Sequence, residues 1–292
     1  MPQVFGLKKI STILPMPIIT LTTDFGEKDH FAGAVKGAIY SEMEDAKIVD
    51  ISHSVSPFHI AEAAYIIQNA YKSFPKGTIH VIGIDSELTP ENKHIAVLMD
   101  GHFFICADNG IISLITQEIR PEKVVEINIH DRVLSDFPVL DVFVKVACHI
   151  ARGGTLEVIG KEITGIKELK GLAPIIQEKQ NQIIGNVIYI DNYGNVVTNI
   201  TKKLFDSIGK GKPFVVIARN TKFKEVHSIY SEAINFNLPP EKREEDGKKL
   251  AIWNASGYLE LAVYKSNPQT VGSASTLFGL QFRDTITISF EN

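Results

Sequence analysis

Three places in the chain carry side chains of the kind that hold a polar ligand. Asp24 directly follows a short β-rich run at 18–23, and Asp85 follows another at 78–84. Open α/β sheets bind ligands outside the carboxyl ends of their strands, and both carboxylates fall there. The third place is Asp191-Asn192-Tyr193-Gly194-Asn195. It combines a carboxylate that only accepts, an amide that donates and accepts, and a flat ring. Taken singly, each has a plainer reading. An Asp after a strand commonly caps a helix or makes a turn. Asp191 to Gly194 reads as a hairpin turn, Tyr193 and Tyr230 as packing in a β domain, and Asp108-Asn109-Gly110 as a turn leading into a helix. The histidines are scattered, with no spacing that resembles a metal-ligand set, so neither a metal nor a separate cofactor is expected.

The elements that must position these residues follow from hydrophobic period. Strand-like runs at 18–23, 48–51 and 78–84 alternate with helical patterns, one with Phe31, Ala34, Val35, Ala38 and Ile39 on one face, another with Ile60, Ala63, Ala64, Ile67 and Tyr71. Runs at 94–99 and 103–107 flank Asp100-Gly101, a hairpin signal. A third long helix is expected from Leu140 through Ala151, stopped by Gly153-Gly154. This alternation predicts an α/β domain over 18–172, with helices on the faces of a largely parallel sheet. Residues 1–17, with Pro15 and Pro17, read as an N-terminal extension. From about residue 180 the pattern changes to strands and turns with no convincing helix: 183–190, 196–200, 214–217, 250–253, 259–264 and 285–290. The span 180–292 is expected to be a smaller all-β domain, a barrel or a sandwich, with 238–249 as a charged loop.

Composition excludes several classes. With 292 residues, 44% hydrophobic and 22% charged, the chain has the make-up of a two-domain globular protein. A net charge of −4 speaks against a nucleic-acid partner. No apolar run is long enough to span a bilayer, and the N-terminus lacks a signal-like core. Cys106 and Cys148 each lie in an apolar run and read as buried hydrophobes. A cytoplasmic protein without membrane partners is expected.

Six segments, in order, carry a resemblance. They are TTDFGEKDHFAGAVKGAI (22–39), IVDISHSVSPFHIAEAAYII (48–67), FPKGTIHVIGID (74–85), ADNGIISLI (107–115), IYIDNYGNVVTNI (188–200) and WNASGYLELAV (253–263). Together they resemble the S-adenosylmethionine hydroxide adenosyltransferases, whose relatives are fluorinases and chlorinases. The resemblance implies a homotrimer that binds a nucleoside, S-adenosylmethionine or adenosine, at the subunit interface, with S-adenosylmethionine as substrate rather than cofactor. It implies displacement of methionine from ribose C5′ by water or halide. By position it implies that Asp24 holds the ribose hydroxyls and that Asp29 lies near the methionine end. Phe58 sits beside the ligand, Asp191 meets the methionine ammonium, and Tyr193 and Tyr230 sandwich adenine. Asn195 reads the adenine edge, and the loop with Asn254 and Ser256 receives the methionine carboxylate and adenine.

The chain departs from the pattern of the hydrolytic members, in which Asp, Arg and His hold the water. Asp85 supplies the first. The loop after it, Ser86-Glu87-Leu88-Thr89-Pro90-Glu91-Asn92, lacks the family's glycines, and Asn92 stands where Arg is expected, with Lys93 beside it. Pro138 stands where His is expected. Lys93 is a candidate replacement for the Arg as a point charge. His94, His102 and His130 are candidate imidazoles, each with a surface position as its ordinary reading. Leu88 falls near the hydroxyl donor of fluorinating relatives and donates nothing, which weakens a halogenase reading. Hydrolysis of S-adenosylmethionine is the leading expectation, with Asp85, Asn92 and Lys93 as its catalytic candidates. A non-catalytic adenosyl-binding protein, an enzyme on another 5′-substituted adenosine, and a scaffold without ligand remain open.

Overall fold

The computed structural model describes residues 17–116, 119–129, 135–245 and 247–291. Of the expected N-terminal extension only Pro17 is among them, and His130 is outside. The chain divides into two compact units, residues 1–169 and 170–292.

The first unit is built on short, largely buried strands. It runs β1 (Ile18–Thr23), α1 (Phe31–Glu42), β2 (Lys47–Ser52), α2 (Ile60–Ala70), β3 (Ile79–Gly83), β4 (His94–Met99), β5 (His102–Ala107), α3 (Ile111–Thr116), β6 (Lys123–Ile127), α4 (Val144–Ala151) and β7 (Gly160–Glu162). The seven strands order as β2-β1-β3-β5-β4-β6-β7. The first four are parallel, and β4, β6 and β7 pair antiparallel. The expected largely parallel sheet is therefore mixed. The cause is local: Asp100 and Gly101 have φ of 51° and 71°, and a two-residue turn with both φ positive joins strands antiparallel.

Both faces of this sheet are covered, so its strands read as near-continuous apolar runs. Ile19, Leu21, Ile79 and Val81 face a core with Val35 and Ile39 of α1 and Ala147 of α4. Ile82, Ile84, Ile95 and Phe104 face a second core with Ala63 and Ile67 of α2 and Ile111 of α3. Cys148 lies in the first core and Cys106 in the second, both as free thiols. The third long helix begins as a π-turn at Val139–Phe143, with Pro138 capping it, and becomes α-helical at Val144.

The second unit is mostly β: β8 (Ile175–Gln177), β9 (Gln182–Ile190), β10 (Val196–Thr201), α5 (Lys202–Gly209), β11 (Phe214–Ala218), β12 (Thr221–Phe223), β13 (Lys249–Trp253), β14 (Tyr258–Val263), α6 (Ala274–Phe278) and β15 (Thr285–Phe290). One antiparallel sheet runs β12-β11-β15-β9-β10-β14-β13, with β8 also on β9. The expectation of no helix here is corrected twice. Leu204, Phe205 and Ile208 pack α5 onto the core, Thr201 caps it by accepting from the Leu204 amide at 3.1 Å, and Lys210 ends it in the left-handed region. A capping box between Ser273 and Thr276 starts α6.

Candidate functional site

In the first unit the candidate carboxylates sit at the ends of two hydrogen-bonded neighbours. The register of parallel β1 and β3 sets Thr23 opposite Gly83, so Asp24 and Asp85 leave the sheet side by side. Asp24 Oδ2 accepts from the Phe58 amide at 2.8 Å. Burial raises the Asp24 pKa, the Phe58 hydrogen bond opposes the rise, and the nearby charge of Asp85 adds to it. Phe58 has φ 60° and Asp85 φ 44°, both left-handed, and the Phe58 ring is 72% exposed. A bulky non-glycine residue held there is strained, and such strain clusters at ligand sites. Asp29 lies exposed in the loop that follows Asp24.

A second set of groups fixes the turn that carries Asp24. His53 Nε2 lies 3.1 Å from Asp50 Oδ1 without the alignment of a hydrogen bond, and Nδ1 shares a 2.7 Å hydrogen bond with the Thr23 hydroxyl. The His53 carbonyl accepts from Gly26 N at 2.7 Å, on the far side of Asp24. Lys36 bonds the other oxygen of Asp50. The Asp85 end is held by Asn109, whose Nδ2 donates to the Ile84 carbonyl at 3.0 Å while its Oδ1 accepts from Ile111 N. The turn read in Asp108-Asn109-Gly110 is present, and its buried Asn109 also braces a candidate strand end.

The loop after Asp85 closes on itself through Thr89, whose hydroxyl accepts from Asn92 N at 2.9 Å. Asn92 Oδ1 accepts from Lys167 Nζ at 3.1 Å. The ammonium found on Asn92 thus comes from Lys167, while Lys93 is exposed. His94 and His102 are both buried, which corrects their surface reading. His94 Nε2 donates to the Ser86 carbonyl at 2.9 Å, because a carbonyl only accepts, and its ring meets Phe143 edge-on. The segment around Pro138 is given to packing. Phe25, Phe31 and Phe137 meet with centroids 5.5–5.8 Å apart.

The second unit joins its candidates into one chain of hydrogen bonds. The β9–β10 loop places Asp191, whose Oδ1 accepts from Tyr193 N at 2.9 Å and Asn195 N at 2.8 Å. Asn195 Nδ2 donates to Asp191 Oδ2 at 3.0 Å and to the Tyr230 hydroxyl at 3.3 Å. Tyr230 donates to Glu260 Oε1, and Asn254 Nδ2 in the β13–β14 loop donates to Glu260 Oε2 at 3.2 Å. Asn254 Oδ1 in turn accepts from Ser256 N at 3.1 Å. The Tyr193 ring is 64% exposed. Burial raises the Asp191 and Glu260 pKa values, the latter helped by the charge of Asp191, and burial with the Glu260 contact raises that of Tyr230. Glu260 is a member that sequence reasoning missed. The mark it left is an acid among the apolar residues of Tyr258–Val263.

Both units match a known family. Residues 19–160 match the family described as SAM hydroxide adenosyltransferase N-terminal domain, and residues 185–287 match its C-terminal domain. This chain belongs to the SAM hydroxide adenosyltransferase family. It is 30% identical over 94% of its length to the (R)-S-adenosyl-L-methionine hydrolase of Methanocaldococcus jannaschii, and the match covers 97% of that protein. It is 23% identical to a fluorinase of Actinopolyspora mzabensis, over 84% of this chain and 90% of the other. A solved structure of an uncharacterized conserved protein from Thermotoga maritima shares the fold with a TM-score of 0.78 at 26% identity, over 93% of this chain and all of that one.

Among the described residues no group of three or more His, Cys, Asp or Glu is arranged to hold a metal ion, and no helix is long and apolar enough to cross a membrane.

Proposed function

We propose that this protein cleaves S-adenosylmethionine with water. The water oxygen bonds to ribose C5′ as the C5′–sulfur bond breaks. Methionine leaves with the sulfur electron pair, and the surplus water proton passes to solvent, leaving adenosine. Several relatives along most of the chain are named (R)-S-adenosyl-L-methionine hydrolase. The observation that carries the reading is the pairing of Asp24 and Asp85 at the ends of adjacent parallel strands, close enough for one charge to shift the other.

In this reading Asp24 has lone pairs left, beyond the one taken by the Phe58 amide, for two vicinal ribose hydroxyls. Asp85 orients the water. Phe58 covers the ligand, Asp29 lies toward the methionine end, and Asp191 accepts the methionine ammonium. Tyr193 and Tyr230 stack on the base, Asn195 reads its edge, and Asn254 and Ser256 receive the remaining polar groups. The protein acts in the cytoplasm as a homotrimer, with each ligand held between neighbouring subunits. Lys167 on Asn92 restores a positive charge without the planar fork of an Arg. The packed Pro138 segment gives no imidazole, so turnover is slow: a lost charged hydrogen bond of about 1.5–3 kcal/mol is roughly one to two powers of ten in rate.

The test is a time course of adenosine release from S-adenosylmethionine by the wild type and Asp85→Asn. The expected loss is about 10–100-fold, the effect of one lost charged hydrogen bond to the water. In water enriched in oxygen-18 the label should enter the adenosine 5′-hydroxyl. Adenosine formed by both proteins at the rate of buffer alone refutes the reading.

A further inference from the structure

We propose that Glu260 is a positioning residue of the nucleoside half-site, and that the chain it anchors makes Asn195 face the ligand as an acceptor, so that the site selects a 6-amino purine over a 6-oxo purine. The inference rests on the reading that Asn195 meets the edge of the base.

Glu260 lies in β14 beside Leu259, Leu261, Ala262 and Val263, and it is only 5% exposed. A buried carboxylate persists where its oxygens are hydrogen-bonded. Both oxygens of Glu260 are engaged, one by the Tyr230 hydroxyl and the other by Asn254 Nδ2. Those partners belong to different segments, a 3-10 turn at Tyr230–Ala233 and the β13–β14 loop. One acid therefore ties together two walls of the half-site.

The polarity of the chain follows from what each group is able to do. The Tyr230 hydroxyl donates its one proton to Glu260 Oε1. The phenol oxygen is then the acceptor for Asn195 Nδ2 at 3.3 Å. The second hydrogen of Nδ2 goes to Asp191 Oδ2 at 3.0 Å, again a group that only accepts. Both amide hydrogens are thus committed, and the orientation of the amide is set by its partners rather than left open to a flip. What Asn195 has left for a ligand is Oδ1. A 6-amino group donates to that oxygen. A 6-oxo group meets it lone pair against lone pair, and a site built around one hydrogen bond rejects the analogue that cannot make it.

The experiment measures adenosine and inosine affinities by calorimetry on the full-length wild type, Glu260→Gln and Tyr230→Phe. The wild type should favour adenosine by about 10–100-fold, the range for one satisfied against one opposed polar contact. Glu260→Gln brings an amide that donates to Tyr230 and frees the phenol to turn its proton toward Asn195. Its adenosine-to-inosine ratio should fall by about tenfold, the equivalent of one net hydrogen bond. Tyr230→Phe keeps the ring and removes the relay. It should lower the ratio similarly, and it carries the test should Glu260→Gln not fold. Variants that weaken both nucleosides equally, with the wild-type ratio intact, overturn the proposal, because a merely structural acid does only that. A wild type that binds both nucleosides equally also overturns it. A wild type that binds neither overturns instead the assignment of the site.

Discussion

Protonation of one buried imidazole should make the protein acid-labile well above the usual carboxylate range. His80 in β3 is enclosed by Thr20, Tyr71, Phe74, His102 and Phe104. Its Nδ1 is 2.7 Å from the Thr20 hydroxyl, and its Nε2 is 3.2 Å from His102 Nδ1. Burial first, and the neighbouring His102 second, lower the His80 pKa from 6.5 to about 3. The charged groups nearest this pair are Lys76 and Asp100. Lys76 lowers the pKa of His102, itself already lowered by burial, and Asp100 opposes it.

The sign follows directly. The unfolded chain takes up the proton below about pH 6.5, while the folded chain refuses it until about pH 3, so stability falls as the solution is acidified through that window. From the two pKa values the loss between pH 8 and pH 5 is about 2 kcal/mol, and by pH 4 about 3 kcal/mol. For a unit of this size, 2 kcal/mol lowers the melting temperature by roughly 4–8 °C. The assay is thermal unfolding of the wild type and His80→Asn across this pH range. Asn keeps a polar atom near Thr20 and does not titrate. The variant should be less stable at pH 8, because it loses the stack on Phe104, yet the gap should narrow by about 2 kcal/mol at pH 5. A gap that stays constant with pH refutes the reasoning.

Two further outcomes bear on the candidate site. His53→Ala removes the partner of Thr23 and a contact of Asp50; stability should drop by about 1–3 kcal/mol, adenosine affinity should drop with it as the Asp24 turn loosens, and calorimetry showing unchanged affinity refutes the link. Gly83→Ala puts a Cβ 2.9 Å from Val139 Cγ2, 3.2 Å from Thr23 and 3.3 Å from Phe25; over-packing of about 1–3 kcal/mol should lower the melting temperature and, by spreading the ends of β1 and β3, cut turnover more than stability, and a fully active variant refutes the tight junction.

Legibility in the sequence followed the range of the interaction. Asp24 and Asp85 were readable because a strand ends one or two residues before each, and β1 and β3 show their period over five or six residues. The Asp191–Asn195 turn was readable for the same reason. Glu260 was not, because alternation along Tyr258–Val263 shows an acid in a strand but not which face is buried. Its partners Tyr230 and Asn254 are 30 and 6 residues away. Lys167 reaches Asn92 across 75 residues, and nothing local marks it. Two features are weakly marked. The Asp100-Gly101 turn signals a hairpin, but the reversal of direction it imposes extends to strands far from it in the chain. The helix α5 has only eight residues, with strands dominating on either side.

The proposed ligand groups and the proposed water-side positions differ in what their loss would do to the fold. Asp24 and Asp191 are held by backbone amides, and the Asn195 amide by the side chains of Asp191 and Tyr230, so the hydrogen bonds that shape the turns also orient the proposed ligand groups. Changing any of them disturbs local folding as well as binding. The positions proposed to lie near the water are different. Asn92 lies on a loop closed by Thr89, and the segment at Pro138 packs through Phe137 and Val139, so neither position needs a particular charged side chain for the fold to stand. If the proposed function holds, substitution there should cost little stability and act mainly on rate, which paired melting curves and turnover assays check. Under the proposed function, the fold thus separates groups whose loss disturbs both folding and binding from groups whose loss acts on rate alone.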